Sequence, residues 1–370
     1  MFRPFNFIKT IITIFLVVLT AVSFPAKAEA QDIHPEDILR AGAGDAQILM
    51  GEYFKPFSIG FGNGLNAGWF TSPKPHQKYG FDFRISATAA LVPNHDMIFD
   101  VEELNLNELE LVDGPRRTPT LFGQDITPAS LGSYYTNPET GQTEELFSFE
   151  MPPGLDFRYV ITPMAQLTLG LIYDTDVTFR FFPSSTFEND FNVNMWGFGI
   201  QHGINQWYNP TNDKLDLSIQ IGYTKINSTV YFDVEPEFEP NTEDNNPPST
   251  WENQNSNFNS DGLTVNLLAG RQFKYFTAYG GLGFQKSGIS INVNGTYPTV
   301  VPVDPSEYTP GGPTKKITPV TDPFEMELRN NIRPQLLLGG RMRFATITLS
   351  ATYTLAQYQS LNVGFGLSFR

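Results

Sequence analysis

The sequence predicts an all-β fold, a transmembrane antiparallel β-barrel of about twelve strands within a range of roughly ten to fourteen, preceded by a short helical plug segment. Three observations carry this. The chain opens on an export signal but has no later apolar span. Its strand-like segments are apolar on one face only. Its connections alternate between short turns and long polar loops.

Residues 1–30 read as the signal peptide. Arg3 and Lys9 give a basic start, "IITIFLVVLTAVSF" (11–24) is an uncharged apolar core, and "AKAEAQ" offers a small-residue cleavage site after Ala30. The chain has no cysteine, which excludes disulfides and a lipidated signal. Removing residues 1–30 takes Arg3, Lys9, Lys27 and Glu29 with it, so the net charge goes from −15 to −17. So acidic a chain is a poor nucleic-acid partner. No later segment reaches the ~20 apolar residues of a membrane helix. Thirty-two phenylalanines and fifteen tyrosines against only 17 % charged residues favour a barrel with aromatic girdles over a secreted soluble fold.

Residues 31–65 form the segment before the barrel. In "GDAQILMGEYFKPF" (44–57), Asp45 can cap a short helix with Ile48, Leu49, Tyr53 and Phe57 on an apolar stripe and Pro56 at its end. The glycine-dense "GFGNGLNAGWF" follows. Such a segment either folds into the lumen as a plug or lies beneath the barrel as a periplasmic cap. Residues 66–370 form the barrel, with strands expected near 62–71, 79–92, 97–112, 164–172, 175–183, 191–203, 214–231, 259–271, 274–293, 324–343, 345–356 and 361–369. In "KLDLSIQIGYT" (214–224), Leu215, Leu217, Ile219 and Ile221 oppose Asp216, Ser218 and Gln220. "TITLSATYTL" (346–355) repeats the pattern. The last strand places Leu361, Val363, Phe365, Leu367 and Phe369 on one face as the lipid-facing barrel-assembly strand. Long loops fall at about 113–163, 232–258 and 294–323. Short turns near 173–175, 272–274 and 344–345 mark the periplasmic side, and an even strand number puts both termini there.

A family resemblance rests on "GLNAGWF…KPH…GFDF" (64–83), "MAQLTLGLIYDTDVTFRFFP" (164–183), "WGFGIQHGINQW" (196–207) and "LDLSIQIGYTKIN" (215–227). These stretches resemble an uncharacterised Bacteroidota family of outer-membrane barrels. More distantly, the layout is similar to FadL-type transporters of hydrophobic compounds. That resemblance implies passage of a small hydrophobic solute. The chain departs from it in lacking an Asn-Pro-Ala motif after the signal, and Arg370 follows the terminal aromatic.

An arginine on a lipid face costs ~2–4 kcal/mol at the midplane. Arg180, Arg333, Arg341 and Arg343, with Asp216 and Gln220, are therefore expected to face the lumen. There they either pair with acidic groups or line a water-filled path. Asp45 and Glu52 are the candidate plug anchors for those arginines, which could equally hold plug carbonyls. His34, His76, His95 and His202 fall in no catalytic motif, and Asp233, Glu235, Glu237, Glu239, Glu243 and Asp244 lack calcium-loop spacing. The sequence thus predicts no enzyme, cofactor or metal site. Its expected partners are outer-membrane lipids, the barrel-assembly machinery and a small hydrophobic solute, in the outer membrane of a Gram-negative bacterium. The expected role is solute passage gated by the N-terminal segment. The alternative is a structural or partner-binding protein with a filled lumen.

Overall fold

Ten alternating segments close into a ring. In the computed structural model, residues 43–136, 141–187, 191–208, 215–231, 236, 242–304, 306–307, 309 and 311–369 are described. The signal region, His34, the four carboxylates from Asp233 to Glu239 and Arg370 lie outside them. The barrel strands are β1 (Phe81–Leu91), β2 (Tyr159–Gly170), β3 (Thr175–Phe187), β4 (Phe191–Gly203), β5 (Asp216–Tyr231), β6 (Asn255–Gln272), β7 (Phe276–Asn294), β8 (Arg333–Phe344), β9 (Ile347–Leu355) and β10 (Ser360–Phe369). Each pairs antiparallel with its chain neighbours, and β10 closes the ring on β1, from Phe81↔Phe369 to Ala90↔Ser360. Closure removes the sheet edges that an open sheet would expose.

The ring is inside out relative to a soluble protein. Along β10, Leu361, Val363, Phe365, Leu367 and Phe369 point outward, Val363 being 53 % exposed. Asn362 and Ser368 point inward, the latter 0 % exposed. In β9, Ile347, Leu349, Tyr353 and Leu355 face out while Thr348, Ser350, Thr352 and Thr354 are buried. Hydrophobic groups on the outside and hydroxyls on the inside mark a barrel whose exterior solvent is not water.

Two of the twelve expected strands are not in the wall. The 97–112 segment lies in the long connection between β1 and β2. There residues 98–100 pair with 117–119, and 110–113 join a small sheet with 130–136 and 143–150. In an extended 97–112 both faces would carry carboxylates, Glu103 on one and Asp100, Glu102 and Glu108 on the other. Neither face could meet lipid. The 62–71 segment is the end of a helix and the bend after it. The expected strand 324–343 is also interrupted: residues 324–329 extend β8 along the upper part of β7. The register moves from Gln285↔Arg333 to Gly288↔Arg329, so 330–332 holds one extra residue, a bulge.

The helix α1 (Ala43–Asn66) runs inside the ring. At ~1.5 Å per residue it is about 36 Å long, more than the ~25 Å apolar band. Its first half therefore stands among the long loops. Ala46, Leu49, Met50 and Tyr53 share a core there with Leu109, Leu131, Phe149, Met151, Phe324 and Met326. Pro56 was expected to end this helix, but the helix continues through it to Asn66. Proline has no N–H to offer the Glu52 carbonyl one turn earlier; beside it, the Tyr53 carbonyl accepts from Leu121 N–H at 3.1 Å, which ties this turn to the loops. The surrounding wall and loops hold the helix together across a residue that would break it in water. The N-terminus expected at the short-turn end lies outside the described residues; the described chain enters the barrel from the long-loop end. It reaches β1 at the short-turn end only after crossing the lumen.

Candidate functional site

A barrel of about eight strands is narrow enough for its own side chains to fill, and a ten-stranded one is wider. The extra space is taken by the second half of α1, which is slim because it carries glycine on several sides. A Cβ on Gly60 would stand 2.4 Å from Val160, on Gly62 2.0 Å from Ser287, and on Gly64 2.1 Å from Thr162. Any side chain at these positions would collide with the wall. Between the helix end and strands β6, β8, β9 and β10 the remaining void is about 10 Å³.

The helix ends against a buried arginine. Arg180 on β3, 1 % exposed, donates from Nη1 to the Leu65 carbonyl at 2.6 Å and from Nη2 to the Ala67 carbonyl at 2.5 Å. Gln166 Oε1 and Thr224 Oγ1 accept from it at 3.1 Å each. Carbonyls at a helix C-terminus lack intrahelical donors and carry the negative end of the dipole, so a guanidinium there satisfies both needs. Its face also stacks on the Trp69 indole at 3.7 Å. The indole fits a slot left by two glycines of the wall, since a Cβ on Gly199 or Gly222 would lie 2.6 or 2.4 Å from it.

Below Trp69 the chain descends along further wall side chains. Arg84 Nη1 donates to the Gly68 carbonyl at 3.3 Å and its Nη2 to Asp82 Oδ1 at 3.1 Å. Arg341 Nη2 approaches Asp82 Oδ2 at 3.7 Å. Gln201 donates to the Ser72 carbonyl at 2.8 Å. The His76 N–H and Nδ1 meet the two oxygens of Asp176, each at 2.9 Å. Higher up, Asn63 donates to the Tyr358 carbonyl at 2.9 Å and accepts from Gln285 at 2.8 Å.

The expected site residues are distributed unevenly across this arrangement. Arg180, Gln220 and Arg341 are buried in the lumen, with Asn266 donating to Gln220 at 2.6 Å. Asp216 shares the inward register of Ser218 and Gln220 at the short-turn rim. Arg343, half-buried at the same rim, donates to the Ala345 carbonyl at 3.0 Å. Arg333 is exposed beside the 330–332 bulge. The anchors are a correction. Asp45 is buried but meets no arginine. It accepts from the N–H groups of Asn107, Glu108 and Leu109 at 2.8–3.0 Å, holding the loop to the helix start. Burial pushes its carboxyl up, yet these N–H donors and the Asn107 amide outweigh it and hold it below 3.8. Glu52 pairs with Lys55 one turn along, at 2.9 Å. From the plug segment, Arg180 and Arg84 take carbonyls rather than carboxylates, because the helix turns its C-terminus to them. Asp82, Arg84 and Trp69 were missed by the sequence reasoning. "FDFRIS" (81–86) carried the signal for the first two, with opposite charges sharing the polar face of a strand.

His95 is exposed and His202 lies at the short-turn rim, its Nδ1 2.8 Å from Thr175 Oγ1. Among the described residues no cluster of His, Asp or Glu could hold a metal. A cavity of about 500 Å³ opens beside α1 at the long-loop end, lined by Glu52, Lys55, His95, Asp100, Glu103 and Arg117 among others.

A model described as a family of unknown function (DUF6588) matches residues 8–369. No curated protein matches the chain. Among solved structures, the chain is similar to the translocator domain of autotransporter NalP from Neisseria meningitidis. The identity is 11 %, over 88 % of this chain and 98 % of that one, with a TM-score of 0.27. The transport unit of the autotransporter AIDA-I from Escherichia coli matches at 10 % identity over 86 % and 98 %, TM-score 0.28. The Pseudomonas putida toluene transporter TodX matches at 7 % over 84 % and 98 %, TM-score 0.24.

Proposed function

The chain belongs to this family of unknown function, and we propose that it is an outer-membrane barrel of a Gram-negative bacterium, shut at rest by its own helix, that works as a binding protein through its long-loop face. The membrane reading is supported by the outward apolar surface of every wall strand over a polar interior. The closed state rests on one observation, the glycine-slimmed helix that leaves about 10 Å³ beside its end. The binding role is supported by charge. Among the described residues, those within 92–158, 242–254 and 295–332 carry twenty carboxylates against six lysines and arginines, a net −14, so acidity is concentrated at the long-loop end of the barrel. A surface of that sign favours a cationic partner and sets a salt-dependent encounter rate.

The test is a pair of measurements on purified protein. Intact protein in a planar bilayer should be silent, while a form lacking residues 43–66 should conduct. A basic peptide should bind intact protein at low salt and lose that binding when residues 232–254 are replaced by an uncharged linker. Steady conductance by the intact protein would overturn the closed reading. Unchanged peptide binding by the replaced form would overturn the role of that loop.

A second reading, passage of a small solute with the helix displaced, draws on the 500 Å³ cavity beside α1 at the long-loop mouth. The lumen wall combines hydroxyls, amides and charges with apolar groups at Met164, Phe182, Val193 and Met195 and at Leu268 and Leu337, so a solute with both polar and apolar parts suits it. Brief openings of the intact protein in the bilayer, abolished by cross-linking α1 to the wall, would favour this reading.

A further inference from the structure

At the short-turn mouth lies a second cavity, of about 180 Å³, on the opposite end of the barrel from the acidic loops. Its charged lining is all of one sign: Lys74 from the descending segment, Lys274 from the β6–β7 turn, and Arg341 and Arg343 from β8, with His76 beside Lys74. No aspartate or glutamate lines it. The nearest acids face it from the lumen side, where Asp176 accepts from His76 and Asp82 is chelated by Arg84.

Arg341 is the unusual member. Its side chain is 9 % exposed, yet its Nε and Nη2 have no hydrogen-bond acceptor, the Asp82 contact at 3.7 Å being an ion pair without a hydrogen bond. A buried charged donor without a hydrogen-bond acceptor costs more than a neutral one. This one sits in the wall of a basic cavity, beside two mobile-stemmed lysines that can close on a ligand. Lys274 and Arg343 have neighbours of their own, the Tyr275 ring at 5.0 Å and the Ala345 carbonyl, and neither contact neutralises charge. Phe273, Tyr275 and Phe276 turn outward at the same level, where an interfacial aromatic belt meets lipid headgroups.

We propose that this cavity is an anion site for a phosphate-class ligand, with Arg341 as the fork that binds it and Lys74 and Lys274 as the outer clamp. A guanidinium fork and flanking ammoniums match the oxygens of a phosphate, and the ligand neutralises the excess positive charge that the chain leaves there. Such a phosphate can belong to a lipid headgroup of the inner leaflet or to a free periplasmic phosphate.

Purified full-length protein in an uncharged detergent is titrated, at constant ionic strength set with chloride, with inorganic phosphate in one arm and dihexanoyl phosphatidic acid in the other. Binding is read by calorimetry and by phosphorus NMR line width. Wild type should bind at least one probe. The double variant Lys74→Gln/Lys274→Gln, altered only at exposed side chains, should bind about tenfold more weakly, and Arg341→Gln should bind still less. Binding of phosphatidic acid alone assigns the site to a headgroup; binding of inorganic phosphate assigns it to a free anion. Absence of binding in both arms, or binding undiminished in both variants, overturns the proposal. The lysine variant guards against the case in which Arg341→Gln fails to assemble.

Discussion

Arg180 caps a helix to which it does not belong. Its Nη1 lies 2.6 Å from the carbonyl of Leu65, 115 residues earlier in the chain, one of several contacts that join the barrel wall to the plug. The arginine is fully enclosed, so its charge is balanced by carbonyl dipoles, an amide and an indole face rather than by water. Removing either side leaves the other unsatisfied in a dry place.

Arg180→Gln should therefore loosen the plug without opening the ring. Two charge-assisted hydrogen bonds of ~1.5–3 kcal/mol each are lost, the Ala67 carbonyl loses its guanidinium donor, and the Leu65 carbonyl keeps only the Thr224 hydroxyl at 3.4 Å. Amide exchange of residues 58–67 should quicken by orders of magnitude while that of β8–β10 stays slow. Arg180→Lys should recover only part of the protection, since an ammonium lacks the fork and the stacking face. Equal protection in all three proteins would show that the cap is dispensable.

The glycine face makes a sharper test. Gly64→Ala puts a Cβ about where Thr162 already stands, and overpacking of this kind costs ~1–3 kcal/mol. The double variant Gly64→Ala/Thr162→Gly should regain most of that loss in urea unfolding. If the second substitution makes matters worse, the helix does not pack on β2 as described.

Lipid facing can be checked at the last strand. Val363→Arg should lose ~2–4 kcal/mol and reduce the assembled, heat-modifiable form. Deleting residues 361–370, or Phe369→Asp, should prevent assembly, because β10 pairs with both β1 and β9 and Phe369 stacks on Phe81 at 4.7 Å. Normal outer-membrane recovery of the truncated chain would remove β10 from the ring.

Acid should act first at the helix start. The Asp45 carboxyl is held below 3.8, so the contribution of its charge is fully present above that value and fades as pH falls through the lowered folded value. Amide exchange of residues 107–109, corrected for its intrinsic pH dependence, should show their protection falling below about pH 4, and Asp45→Asn should show the weaker protection at every pH. A wild type and a variant with the same pH profile would assign the loop's hold to the Leu109 core instead.

The direction of α1 predicts which side of the membrane its first turn faces. Gly44 is exposed at the long-loop end, and a Cβ there meets nothing within 4 Å. Gly44→Cys in this cysteine-free chain should react with a membrane-impermeant maleimide added to intact cells. A cysteine at the exposed short-turn residue Lys274 should react only after the outer membrane is breached. Reversed labelling would invert the barrel.

The sequence by itself determined the ten strands of the wall, though it also counted 62–71 and 97–112 among them. A strand in a barrel meets lipid on one side and protein on the other, so its own period of two reports its orientation, and Leu361 to Phe369 can be read without knowing their neighbours. It equally exposed the side of the short turns, because a two- or three-residue connection leaves no alternative. The lumen was not legible in this way. Thr162, Gln166 and Arg180 would look the same whether they lined water or gripped a helix, since both demand polar groups. "GFGNGLNAGWF" reads as flexible strand or loop because its glycines lower helix propensity, yet inside the ring they make a helix slim enough to fit. Which carbonyl Arg180 would hold, and that Asp45 would hold a loop rather than an arginine, depends on contacts between residues far apart in the chain. Only closure of the ring around α1 decided them, because only then does burial turn each unpaired polar group into a cost that some partner must remove.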